Sequence, residues 1–204
     1  MKLIDLTHTF FDKMPVFPGD VNPVIEQVCF EKKEGYNSYK LTSSLHAGTH
    51  MDASLHMQPE GKFMSEFPVE LFASKAILID VSSKEVIDFE PDWDELIKGH
   101  ETVLFRTLHS DKWNTPDYYG KYPLFSENVA LALYKHQIRI VGFDSPSPDK
   151  EPYLFHKAFL NGNTFMIENL TNLSEIPEKT TFRLFAFPLK INAEASLIRA
   201  VAEI

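Results

Sequence analysis

The run Leu45-His46-Ala47-Gly48-Thr49-His50-Met51-Asp52-Ala53-Ser54-Leu55-His56 carries the densest chemistry of this chain, and its reading decides the fold. His46, His50, Asp52 and His56 share one parity, so an extended strand would turn all four to a single face. Helical spacing would pair His46 with His50 but swing Asp52 and His56 away. A straight strand of that length would spread them over roughly 33 Å, whereas the ligands of one metal ion sit about 2 Å from it. The chain is therefore expected to fold back inside the run, with Gly48 the natural place. A lone histidine is usually a surface or hydrogen-bonded structural residue. Four metal-competent side chains so close together, flanked by small residues, read instead as the metal site of a hydrolase.

Two imidazoles and a carboxylate make a borderline nitrogen/oxygen site suited to Zn²⁺, Mn²⁺ or Fe²⁺, whereas Ca²⁺ and Mg²⁺ take mostly oxygen ligands. A hydrolytic metal also needs an open position and a neighbouring group to move protons. The run offers one candidate more than the usual three protein ligands. His56, furthest along the chain from the others, is the expected acid/base, since an imidazole titrates near neutral pH. Two candidates lie outside the run. His156 follows the acidic, proline-fixed loop Asp144-Ser145-Pro146-Ser147-Pro148-Asp149. Glu168 ends the apolar stretch Phe165-Met166-Ile167, where a carboxylate is costly to bury without a partner. His8, His100, His109 and His136 read as surface or turn residues.

The 204 residues, 44% hydrophobic and 24% charged, match an ordinary globular protein with a real core. A net charge of −9 argues against nucleic acid or an anionic membrane as partner. The single cysteine, Cys29, excludes an internal disulfide and any CxxC motif, and is expected as a small buried residue. No apolar run approaches the roughly 20 residues of a membrane span, and no signal peptide opens the chain, so the expected compartment is cytoplasmic. A nucleophile elbow, a dinucleotide fingerprint and a phosphate loop are all missing.

Leu3 to Thr7 alternates as a strand does, and Val24 to Lys32 with Ser38 to Ser44 predicts a hairpin through Glu34-Gly35-Tyr36-Asn37. Lys75 to Val81, Thr102 to Thr107 and Ile138 to Phe143 are apolar strands, the first of the kind buried on both faces. Thr164 to Ile167, Thr180 to Leu189 and Ser196 to Ile204 complete them. Helices are expected near Val69 to Ala73, over Asp92 to Lys98, from an N-cap at Ser126 to about His136, and over Tyr153 to Asn161. Strands outnumber helices, which predicts an α/β fold with a central mixed sheet covered by a few helices. No repeat or linker interrupts residues 1–204, so one domain is expected.

The sequence resembles the cyclase-like metal-dependent hydrolase family, which includes kynurenine formamidases and isatin hydrolases. His46 to His56 (HAGTHMDASLH) is similar to the family signature HxGTHxDxPxH. The likeness extends through Asp5-Leu6-Thr7-His8, the Pro15 to Asp20 loop, Val141-Gly142-Phe143-Asp144, His156, Ile167-Glu168-Asn169-Leu170 and the ending from Phe187 to Val201. The resemblance implies a swivelling β/β/α-type domain, usually in a homodimer or homotetramer. It implies His46, His50 and Asp52 as ligands of one divalent metal and His56 as the acid/base. His156 and Glu168 would complete a second metal site or lie beside the first, with Asp52 able to bridge. Zinc is the expected ion, with manganese the alternative, one or two per subunit. The implied reaction is hydrolysis of a C–N bond in an aryl formamide or small cyclic amide, by a metal that polarises the carbonyl and lowers the pKa of its water to about 7.

The sequence departs from the family pattern in three places. Ser54 replaces the signature proline, and Ala195-Ser196-Leu197 replaces Gly-Ser-Pro before the arginine. Phe17 stands where many members carry tryptophan, still offering an aromatic face to a flat substrate. Two other readings of the same residues stay open. His50, Asp52 and His156 match the two-histidine, one-carboxylate set of non-haem iron oxygenases, and a module could bind a metal or small ligand without turnover.

Overall fold

The computed structural model describes residues 1–204. Short apolar strands buried on both faces organise it. In chain order the strands are β1 (Leu3–Asp5), β2 (Val24–Cys29), β3 (Ser38–Thr42), β4 (His50–Asp52), β5 (Ala73–Asp80) and β6 (Val86–Ile87). They continue as β7 (Thr102–Arg106), β8 (Leu124–Phe125), β9 (Ile140–Phe143), β10 (Phe165–Glu168), β11 (Thr181–Pro188) and β12 (Ala195–Glu203). The helices are α1 (Glu31–Glu34), α2 (Trp93–Ile97), α3 (Glu127–Lys135) and α4 (Leu154–Phe159). No helix is long and apolar enough to cross a membrane.

The main sheet runs β1-β12-β11-β5-β7-β9-β10-β4, and β4 also pairs with β12. The sheet thus closes on itself through the β4–β12 pair, while β1 pairs only with β12. The pairs β5–β7, β7–β9 and β9–β10 are parallel, and the remaining pairs of this sheet are antiparallel. The expected mixed sheet is therefore present. Its closure was not legible, because β4 has only three residues and contains the site rather than a strand-like apolar run.

Side-chain alternation sorts the two cores. Ala76 and Leu78 of β5, Leu104 of β7, Phe165 and Ile167 of β10, and Leu184 of β11 pack inside the closed sheet. Ile77 and Ile79, Val103 and Phe105, Val141 and Phe143, and Met166 face outward against Trp93, Val129, Leu133, Phe155 and Phe159 of the helices. Gly142 serves the inner layer: a Cβ there would stand 2.6 Å from Leu104 Cδ2 and 2.8 Å from Leu170 Cδ1.

Several expectations shift in detail. Val69–Phe72 is a 3₁₀ turn, too short for an α-helix. Ser126 does stand before α3, but its hydroxyl donates to Asp88 Oδ1 at 2.5 Å rather than capping the helix. Cys29 is only half-buried, because the β2–β3 hairpin stands away from both cores. His109 is buried, not at the surface, with Nε2 2.7 Å from the Tyr118 carbonyl.

Candidate metal centre

β4 lies between β10 and β12, paired antiparallel on both sides. The register sets His50 opposite Glu168 and Asp52 opposite Met166. Alternation sends His50 and Asp52 to one side while Met51 enters the inner core. Only these three residues of the histidine run form a strand. Before them the chain turns through Gly48 at φ +64°, where a Cβ would press on Met14 Cε at 3.2 Å. After them Ser54–His56 forms a 3₁₀ turn. These two bends bring His46 and His56 back toward His50 and Asp52.

His46 Nδ1 stands 3.0 Å from Asp52 Oδ1, and His50 Nε2 stands 3.5 Å from the same oxygen. Glu168 reaches both ways, with Oε2 3.4 Å from His50 Nε2 and Oε1 3.4 Å from His156 Nε2. The ligand atoms of His50, Asp52 and Glu168 lie within 4.8 Å of one another, as do those of His46, Asp52 and His56. His56 is therefore not set apart from the cluster, as its place in the sequence suggested. Its ring centroid is 4.5 Å from that of His46, whereas the His50 ring is 5.1 Å from it.

The chemistry of these atoms fits a divalent cation. His50 Nε2, both oxygens of Asp52 and Glu168 Oε1 are buried without a hydrogen-bond partner. Leaving so many polar atoms orphaned in one place is costly, and carboxylates most of all. They face one another at distances that a shared cation would satisfy.

The local field has the same sign. Burial depresses the His46 pKa, but the Asp52 carboxylate outweighs it and lifts the ring to about 9. Burial likewise opposes, and Asp149 and Glu168 override, at His156, which rises to about 10. For Asp52 burial acts upward, yet His50 and His46 hold it below the usual carboxylate range. Burial lowers His56, with Asp52 opposing. Carboxylates that favour positive charge on His46 and His156 favour a cation too.

Sequence reasoning missed the residues that aim these side chains. His50 Nδ1 sits 2.8 Å from the Gly48 carbonyl, so it donates there and presents Nε2 toward the centre. Asn169 holds that carbonyl from the other side with Nδ2 at 2.9 Å, and accepts from the Tyr118 hydroxyl at 2.8 Å. Asp149 accepts from His156 Nδ1 at 2.6 Å and from the amides of Phe155 and His156 at 2.7 and 3.2 Å. Glu194 Oε1 lies 3.3 Å from His46 Nε2. Asp149 had a signal, an acid in the loop just before His156; Glu194 had none.

A cavity of about 290 Å³ opens onto the cluster, lined by His46, Asp52, His56, His156 and Glu168 and walled by Phe17, Tyr119 and Tyr153. Phe17 packs edge-on against Tyr119, ring centroids 6.1 Å apart at 89°.

Comparison with known proteins places this architecture. The Cyclase family model matches residues 4–150. A kynurenine formamidase of Bacillus thuringiensis (strain Al Hakam) is 33% identical over 206 residues, spanning 97% of this chain and 95% of that relative. Among solved structures, a potential metal-dependent hydrolase with cyclase activity superposes with a TM-score of 0.81 at 25% identity, covering 98% of this chain and 96% of its own. Isatin hydrolase A from Labrenzia aggregata shares the fold at a TM-score of 0.86 and 24% identity, covering 98% and 93%.

Proposed function

The chain belongs to the Cyclase family and is a hydrolytic enzyme acting on amide C–N bonds, and we propose that its substrate is an aryl formamide or a small cyclic amide. The observation that carries this reading is the convergence of orphaned buried atoms from His50, Asp52 and Glu168 beneath an aromatic-walled cavity. We assign His46, His50 and Asp52, with Glu168 and His156 beside them, as the residues that would hold one or two divalent cations; zinc is our choice and manganese the alternative. Such a cation, when bound, supplies a Lewis acid for the amide carbonyl and acidifies water toward neutral pH.

The rest of the work falls to the chain's own groups. Phe17, Tyr119 and Tyr153 hold a flat ring by their faces and edges. His56, its pKa lowered by burial, takes a proton from the attacking water on a ring nitrogen and returns it to the departing amine nitrogen. Asp149 and the Gly48 carbonyl fix the ring orientations of His156 and His50. Water adds its oxygen to the carbonyl carbon, the C–N bond breaks, and the products are a carboxylic acid and an amine.

A homodimer or homotetramer accounts for the β2–β3 arm. That hairpin leaves Val24, Val28, Phe30, Tyr39 and Leu41 exposed, and an isolated two-stranded hairpin is marginal in water.

Absorbance assays with N-formylkynurenine, formanilide and isatin test the reaction. Turnover is expected on at least one, abolished by chelation and restored by Zn²⁺ or Mn²⁺. Inactivity of the metal-loaded protein on all aryl formamides and cyclic amides would overturn it.

A further inference from the structure

Away from the histidine and carboxylate cluster, the one charged side chain lining the cavity is Asp20. Phe17-Pro18-Gly19-Asp20 forms a turn closed by the Asp20 amide donating to the Phe17 carbonyl at 3.0 Å, with Gly19 at φ +104°. Proline before a positive-φ glycine preorganises such a turn. It delivers two side chains to the same cavity: the Phe17 ring and the exposed Asp20 carboxylate. No lysine or arginine lines the cavity. The Tyr119 hydroxyl on that wall already donates to the Pro15 carbonyl at 3.1 Å.

A substituent projecting toward Asp20 from an aryl ring held by Phe17, Tyr119 and Tyr153 therefore meets a carboxylate and aromatic faces, with no lysine or arginine to answer a negative group. An ammonium gains from both neighbours, by charge attraction to Asp20 and by cation–π contact. A carboxylate meets repulsion from Asp20 that solvent screens only in part. We propose that this mouth selects aryl amides whose side chain bears an ammonium group over those bearing a carboxylate, and that Asp20 is the residue that sets the preference. The inference rests on the aryl-amide reading above and narrows its substrate class.

The test compares kcat/KM for formanilides carrying an aminomethyl or a carboxymethyl group, using metal-loaded wild type, Asp20→Asn and Asp20→Glu. In wild type the ammonium substrate is expected to lead. The ammonium-to-carboxylate ratio should fall by about tenfold in Asp20→Asn and be retained in Asp20→Glu. Calorimetric binding of benzylammonium and phenylacetate to the same three proteins gives the ratio without turnover. Direct affinity of phenylacetate for the metal cancels when the ratio is compared between variants. A ratio unchanged by Asp20→Asn in both measurements overturns the proposal. Absence of hydrolysis with a binding ratio that still falls would reject the aryl-amide reaction while upholding the mouth's charge preference.

Discussion

His50 and Glu168 face each other across the β4–β10 pair, His50 Nε2 standing 3.4 Å from Glu168 Oε2. One antiparallel register thus joins the histidine run to a carboxylate from the far end of the chain. Because β12 grips the other edge of β4, this pairing cannot slip by a residue without turning His50 and Asp52 into the core. The His50, Asp52 and Glu168 cluster is therefore as well positioned as the closed sheet itself.

Asp52 is the acid on which both ligand clusters depend, and neither of its oxygens has a hydrogen-bond partner. Asp52→Ala is expected to lose metal and activity together. Metal analysis of the purified variant beside a turnover assay checks this; a metal-replete, fully active protein would sink the assignment.

His56→Ala separates a proton carrier from a ligand. The expected outcome is near-normal metal content with kcat lowered by about 10²- to 10⁴-fold. His56 stands close enough to His46 and Asp52 to ligate. Metal loss equal to that of His50→Ala would make it a ligand instead.

Asp149→Asn keeps the shape of the loop but removes the anion that orients His156. Metal affinity should fall by about 10- to 100-fold, as read by competition with a chelating dye. A far-UV spectrum matching wild type would show that the loss is local.

Gly61 packs against the turn that carries His56, where a Cβ would stand 2.3 Å from the Leu55 nitrogen and 2.6 Å from the Ser54 carbonyl carbon. Backbone cannot yield as a side chain can. Gly61→Ala is expected to cost about 1–3 kcal/mol of stability and to lower kcat by displacing His56. Urea unfolding and steady-state kinetics on one preparation would show both effects.

His8 stacks on Trp113 with ring centroids 4.0 Å apart, and its Nε2 is buried without a partner. Burial brings its pKa from 6.5 to about 4, against a backbone hydrogen bond at Leu170. Between those values the folded chain binds fewer protons than the unfolded one. The stability His8 contributes is thus complete above pH 6.5 and lost as pH falls toward 4. His8→Phe should flatten this part of the acid limb, measured as urea midpoints across that range. An unchanged slope would exclude His8 as its source.

The sequence by itself determined which metal-competent side chains cluster and nine of the twelve strands, missing β4, β6 and β8, which have only two or three residues each. Imidazole and carboxylate spacing in His46 to His56 predicted a metal-competent cluster, and apolar runs such as Lys75 to Val81 predicted doubly buried strands. Both are local properties, readable from side-chain type and period. Tertiary structure alone decided that the sheet closes through β4 and β12, that His56 packs beside His46, and that Asp149 and Glu194 stand behind the histidines. Those relations arise from pairings between distant segments, whose register is set by packing of the whole core rather than by any single stretch of chain.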